Sequence, residues 1–425
     1  MPNIKIKDIF ARQLVDCSCR PIVEVDVITD NGTFGRGSAP TGTSVGMHEA
    51  FVLRDNDPAE YNGLSVHKAV QNVEQIIRPA LIGMDVTDQR ALDDRMIALD
   101  GTPNKSHLGV NAIYSTSVAC LRAAANASGM TTYRYLAGED IKAVPVPTFN
   151  VINGGRNGDI TLAFNEFLLV PYKAEDINEA VHIGIRVFQK LQDVLSEFLG
   201  TAPIVGRSYG WAAPSDDPEV VLSLMQKAVI ACGYRDKVVF ALDCASSEMF
   251  DKKSNTYLLK GKRISSDELI SYMKSLSEKF PLLFIEDLLD EDDWAGFTNA
   301  VSQINRSIII ADDFTVTNIS RIRRAYEAKA IQGFILKPNQ VGTITEALDA
   351  YSFAQRHNLF AITSGRAGGV IDDIVMDLAV GLQVPFIKNG APRSGERIEK
   401  LNFLMRAASL YPNSKLSDLS NIVRF

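Results

Sequence analysis

Six short apolar runs in the second half of the chain each end on a residue that can bind a cation, move a proton or hold an anion. They are 238–242 before Asp243, 282–285 before Glu286 and Asp287, 308–311 before Asp312 and Asp313, 333–336 before Lys337, 359–362 before Ser364 and Arg366, and 385–387 before Lys388. A fully buried parallel strand reads as such a run, and in a β/α barrel the residues at its C-terminal end line the active site. Three acids, two lysines and an arginine are therefore expected to share one mouth. Any one of them alone is more simply a helix cap or a solvated charge. Six at successive strand ends make that reading untenable for the set.

Asp243, Glu286 and Asp312 offer only hard oxygen donors, with no histidine or cysteine at the companion strand ends, so Mg²⁺ is favoured over Zn²⁺. A lysine facing such a cation has its ammonium destabilised, and Lys337 or Lys388 then becomes a base. The reaction suited to this set is removal of a proton α to a carboxylate. The metal neutralises the resulting enediolate and the second lysine stabilises its charge.

Two folding units must position these groups. At 425 residues and 46% hydrophobic, the chain exceeds one ordinary core. Residues 3–12, 21–29 and 33–38 alternate apolar and polar positions like an antiparallel meander, with Asp30-Asn31-Gly32 as a hairpin turn. Helical patterns follow at 66–82, 87–99, 107–127 and 131–137. The 107–127 stretch is rich in alanine and other small residues, as close packing requires. These features predict an N-terminal α+β lid domain over 1–138. From 139 to 425, apolar strands alternate with helical segments at 176–198, 217–232, 266–279, 317–328, 342–357 and 370–381, which predicts a closed α/β barrel.

The formal charge of 44 − 51 = −7, with no basic run, excludes nucleic acid as the partner. No apolar stretch approaches the roughly 20 residues of a membrane span, and residues 1–6 read as a strand rather than a signal peptide. A cytoplasmic, soluble protein is expected. The five cysteines have neither disulfide-framework nor metal spacing and read as reduced thiols.

Collinear motifs across nearly the whole chain resemble those of the enolases. They include Ala39-Pro40-Thr41-Gly42-Thr43-Ser44-Val45-Gly46-Met47-His48-Glu49-Ala50, Asn150-Val151-Ile152-Asn153-Gly154-Gly155, Leu242-Asp243, Ile285-Glu286-Asp287, Ala311-Asp312-Asp313-Phe314, Leu336-Lys337-Pro338-Asn339-Gln340 and Ile387-Lys388-Asn389-Gly390-Ala391-Pro392. The resemblance implies a (β/α)8 barrel of enolase type with a ββαα start, an N-terminal α+β capping domain and a homodimer. It makes Asp243, Glu286 and Asp312 the Mg²⁺ ligands, Lys337 the base, Lys388 the contact to the substrate carboxylate and Arg366 a phosphate contact. Glu166 is the retained member of a catalytic carboxylate pair. Thr41, on a closing loop over 39–46, stands where enolases use a serine near a second metal.

The departures cluster around the expected substrate. Gly206-Arg207-Ser208-Tyr209-Gly210 replaces Gly-Asp-Glu-Gly-Gly, so Ser208 stands for the acid that helps hydroxide leave. Arg156-Asn157 replaces Ser-His, and Ser364-Gly365-Arg366-Ala367-Gly368-Gly369 replaces Ser-His-Arg-Ser-Gly-Glu. Loss of one general acid costs ~10²–10⁴ in rate, and Arg156 and Arg207 add two cations suited to bidentate capture of an anion. These changes point to an enolase-family lyase with a phosphorylated or phosphonylated carboxylate substrate other than that of ordinary enolase. A carboxyphosphonoenolpyruvate synthase of phosphonate biosynthesis is the nearest pattern. The alternatives are ordinary phosphopyruvate hydratase and a non-catalytic enolase-like binding protein.

Overall fold

The computed structural model describes residues 4–42, 45–138, 141–155 and 164–425. The cap opens with the expected meander: β1 (Ile6–Val15), β2 (Pro21–Thr29) and β3 (Phe34–Ser38), paired antiparallel in that order. Val23, Val25 and Val27 of β2 are fully buried and face the cap helices. The longest of these, α1 (Val110–Ala127), is buried along almost its whole length. It lies so close to β3 that a Cβ at Gly35 or Gly37 would collide with the helix backbone at Ala119, Ala123 or Ser115. The small residues of α1 make this approach possible.

The barrel has eight strands. They are β4 (Val146–Asn153), β5 (Glu166–Val170), β6 (Val239–Asp243), β7 (Leu282–Glu286), β8 (Ile308–Ala311), β9 (Gly333–Leu336), β10 (Phe360–Ser364) and β11 (Phe386–Gly390). β5 runs antiparallel to both β4 and β6, every later neighbour is parallel, and β11 pairs with β4 to close the sheet. Between β5 and β6 come two helices, α2 (Ile177–Leu199) and α3 (Pro218–Ala231), giving the expected ββαα start.

The outer helices follow in turn: α4 (Ser266–Lys279), α5 (Trp294–Gln303), α6 (Ile319–Glu327), α7 (Ile344–Arg356), α8 (Ile374–Gly381) and α9 (Gly395–Leu410). α4 begins at a reciprocal capping box between Ser265 and Glu268. Neither α5 nor α9 is foreshadowed by the sequence periodicity. Cap and barrel meet at the start of α7, where the Thr345 amide donates to Asp93 at 2.9 Å and Lys105 Nζ lies 2.9 Å from Glu346. Among the described residues no helix is long and apolar enough to cross a membrane, and all five cysteines are free.

Candidate active site

Side chains alternate across a strand, so residues two apart share one face of the sheet. Ala241, Phe284, Ile310, Ile335, Ile362 and Phe386 belong to a single fully buried cluster filling the barrel. Two positions further along stand Asp243, Glu286, Asp312, Lys337, Ser364 and Lys388. The parity that packs the interior therefore aims these groups inward at the mouth. β5 runs the other way, so its first residue, Glu166, reaches the same end, in register with Asp243, which in turn pairs with Glu286.

The charges meet there. Lys388 Nζ lies 2.6 Å from Glu286, 3.0 Å from Asp243 and 3.4 Å from Glu166. Lys337 donates to one oxygen of Asp312, and Gln340 donates to the other at 2.8 Å. Asn150 donates to Glu166 at 2.6 Å. Burial works against the Lys388 ammonium, but Asp243, Glu286 and Glu166 outweigh it and hold its pKa well above the ordinary lysine value. Lys337 is likewise held up by Asp312 against the cost of burial. Burial, together with neighbouring acids, pushes Asp243 and Glu286 up, whereas Asp312 is drawn down by Lys337 and Lys388 despite its burial.

The lowered lysine pKa expected from the sequence depends on a cation competing for the same carboxylates. The lysines' own acid neighbours act in the opposite direction.

Those carboxylates fit a hard divalent cation. They are oxygen-only, buried, crowded enough to raise one another's pKa, and already arranged around a positive charge. A neighbouring trio, Asp287, Asp312 and Asp313, also brings carboxylate oxygens within 4.8 Å of one another. The oxygens of Asp287, however, accept the backbone N–H groups of Asp312 at 2.9 Å and Asp313 at 2.7 Å. Asp287 thus pins the end of β8, and burial beside Asp312 and Asp243 pushes its pKa up to about 8.

A cavity of about 70 Å³ opens over this layer, lined among others by Glu166, Ser208, Asp243, Asp312, Lys337, Arg366 and Lys388. Arg366 is buried and held bidentately by Glu49 at 2.9 and 3.1 Å. Ser208 is buried, and its carbonyl accepts from Arg397. Arg207 is exposed and absent from the cavity wall. It is not placed to capture a substrate anion in this conformation. The Thr41 hydroxyl donates to Asp16 and its backbone pairs with Gly368, so the wall is lined by Gly42 instead. Arg156 and Asn157 lie outside the described residues.

Sequence reasoning missed Glu49, Gln340, Arg397 and Lys400, and named Asp313 only as a strand-end acid without a role. Glu49 and Gln340 lie inside motifs already quoted, but nothing local marks them as partners of Arg366 and Asp312. Contacts across 317 and 28 residues have no local signal.

Residues 141–414 match the family model described as "Enolase, C-terminal TIM barrel domain", and residues 6–136 match "Enolase, N-terminal domain". The chain is 42% identical over 405 residues to the protein named enolase of Methanocaldococcus jannaschii, covering 95% of each chain. It is 41% identical over 405 residues to the enolase of Methanococcus aeolicus, again covering 95% of each. Likeness this extensive to proteins named plainly enolase overturns the expectation of a carboxyphosphonoenolpyruvate synthase-like enzyme with a different substrate. It favours the ordinary hydratase reading instead. The physical basis of that expectation is also weaker than the sequence implies, since Arg207 points away from the cavity and Glu166 still supplies an acid within it. The chain is a lyase belonging to the enolase family.

Proposed function

We propose that the chain interconverts 2-phosphoglycerate and phosphoenolpyruvate with Mg²⁺ as cofactor. The observation that carries this reading is the single inward layer holding Lys337, Lys388, Asp243, Glu286 and Asp312, with Glu166 beside it. The three acids, the two lysines and Arg366 keep the roles expected from the resemblance. Asp243, Glu286 and Asp312 hold the metal, which when bound supplies positive charge to the substrate carboxylate.

Lys337 Nζ takes the proton from the carbon α to that carboxylate, and the electron pair moves into the carboxylate. Lys388 stabilises the charge that develops there. As the pair returns to form the C=C bond, hydroxide leaves the β-carbon and takes a proton to depart as water; with Ser208 at the usual acid's position, we assign that proton to Glu166, which takes one up once the substrate carboxylate replaces it beside Lys388. Arg366 holds the phosphate once Glu49 releases it. Burial of the layer excludes water and strengthens each of these electrostatic contacts.

The test is formation of phosphoenolpyruvate from 2-phosphoglycerate, followed by its absorbance. With Mg²⁺ the wild type should turn over at rates usual for enzymes, on the order of 1–10³ s⁻¹, and Lys337→Ala should lose ~10²–10⁴ of that. A wild type with no turnover, or a Lys337→Ala variant as active as wild type, would overturn the assignment.

A further inference from the structure

The wall of the cavity contains a cation that the proposed reaction does not use. Lys400, on α9, is 5% exposed and lines the cavity together with Gly365, Arg366 and Arg397. An ammonium has three N–H donors. Among the described residues, Lys400 spends one on a hydrogen bond, to Glu396 at 2.8 Å, while Asp373 stands 3.9 Å away, beyond hydrogen-bond reach. Were Lys400 there only to neutralise these two acids, closer pairing would be expected. Instead, Asp373 Oδ2 and Glu396 Oε2 are buried with no hydrogen-bond partner. The other nearby guanidinium, on Arg397, donates to the Ser208 carbonyl and lies 3.4 Å from Glu396 Oε2, so Glu396 has a second cation beside it.

Gly365 explains how the ammonium reaches the wall. A Cβ at this position would stand 2.5 Å from Lys400 Nζ. Its backbone is not in the left-handed region, so what glycine supplies here is space: a side chain would oblige the flexible end of Lys400 to shift. Gly365 directly precedes Arg366, which puts Lys400 at the end of the cavity where Arg366 lies. At the acidic layer Lys388 is already surrounded by Glu166, Asp243 and Glu286.

We infer that Lys400 is a further substrate-binding residue, contacting the phosphate end of the substrate beside Arg366, and that Gly365 is the specificity-determining gap that admits it. This rests on the phosphorylated-carboxylate reading above. Charge-assisted contacts of this kind change affinity about ten- to a hundredfold.

The experiment measures Kd for inorganic phosphate and for phosphoenolpyruvate by calorimetry with Mg²⁺ present, alongside KM and kcat for 2-phosphoglycerate. The double variant Lys400→Met, Glu396→Gln removes the ammonium together with its hydrogen-bonded partner. Both Kd values should rise about ten- to a hundredfold, and KM should rise far more than kcat falls. A purely structural lysine would not produce that split. Gly365→Ala keeps every charge but displaces the ammonium, and should weaken phosphate in the same direction.

Unchanged phosphate affinity in a natively melting double variant overturns the inference, as does a wild type that binds no phosphate. If the double variant does not fold, Gly365→Ala decides alone, and an unchanged Kd there is equally fatal. A wild type that binds phosphate through Lys400 but forms no phosphoenolpyruvate would defeat the proposed reaction and leave this site standing.

Discussion

Lys388 keeps Asp243, Glu286 and Glu166 together in a space from which water is nearly excluded. Removing one partner of a buried charge cluster is worth about 3–5 kcal/mol, chiefly because the remaining charges are left uncompensated. Lys388→Met should therefore lower the urea midpoint strongly as well as abolish turnover, and added Mg²⁺ should recover part of the stability but not the activity. The wild type should itself gain stability from Mg²⁺, by about 2.7 kcal/mol at a hundredfold excess over Kd. Glu286→Gln should lose most of that gain in a thermal melt, and an identical gain in the variant would move the metal elsewhere. The strand-end acids and lysines were legible in the sequence because a buried parallel strand is a continuous apolar run, which makes its first polar residue conspicuous. Glu49 and Lys400 were not, since each owes its place to contacts brought together only by the fold.

Among the elements, α9 shows why a pattern can mislead. Its buried side includes Glu396, Arg397 and Lys400 as well as Leu401 and Leu404, so the face turned to the protein carries the charges that periodicity assigns to solvent. The strands and most other helices lacked this inversion, and their bounds fall within a few residues of those expected. β3 and α1 show the opposite case, where composition spoke plainly. The alanine-rich helix predicted close packing, and Gly35 and Gly37 are the surfaces it packs on. Gly35→Ala should force backbone apart from backbone and destabilise the cap by about 1–3 kcal/mol or more. Denaturant unfolding would measure this, and an unchanged midpoint would refute the close approach.

Across the whole molecule, the cap is held to the barrel through buried polar groups, and one of them titrates. Burial pushes the Asp93 carboxyl up to about 6 from the ordinary 3.8, despite hydrogen bonds from Thr345, Ser117 and Gln89. The folded chain then binds this proton more tightly than the unfolded chain, so stability is greatest below about pH 3.8 for this group and falls as pH rises to about 6. The loss is about 3 kcal/mol. Asp93→Asn should flatten that segment of the stability–pH curve, read from urea midpoints at pH 4 to 7. A slope equal to that of wild type would place the titration elsewhere.

The closing seam of the barrel also has a consequence for the order in which the chain is made. β4 leaves the ribosome early, and Trp211–Ala212 pairs with the Ile152–Asn153 end of its outer edge, yet β11, the partner of the Val146–Phe149 stretch, begins 240 residues later, with Phe386 paired to Val146. At 5–20 residues per second the nascent chain spends about 10–50 s with that edge unpaired. An uncovered strand edge recruits other strands. Premature termination before β11 should therefore release not a smaller enzyme but an aggregation-prone fragment.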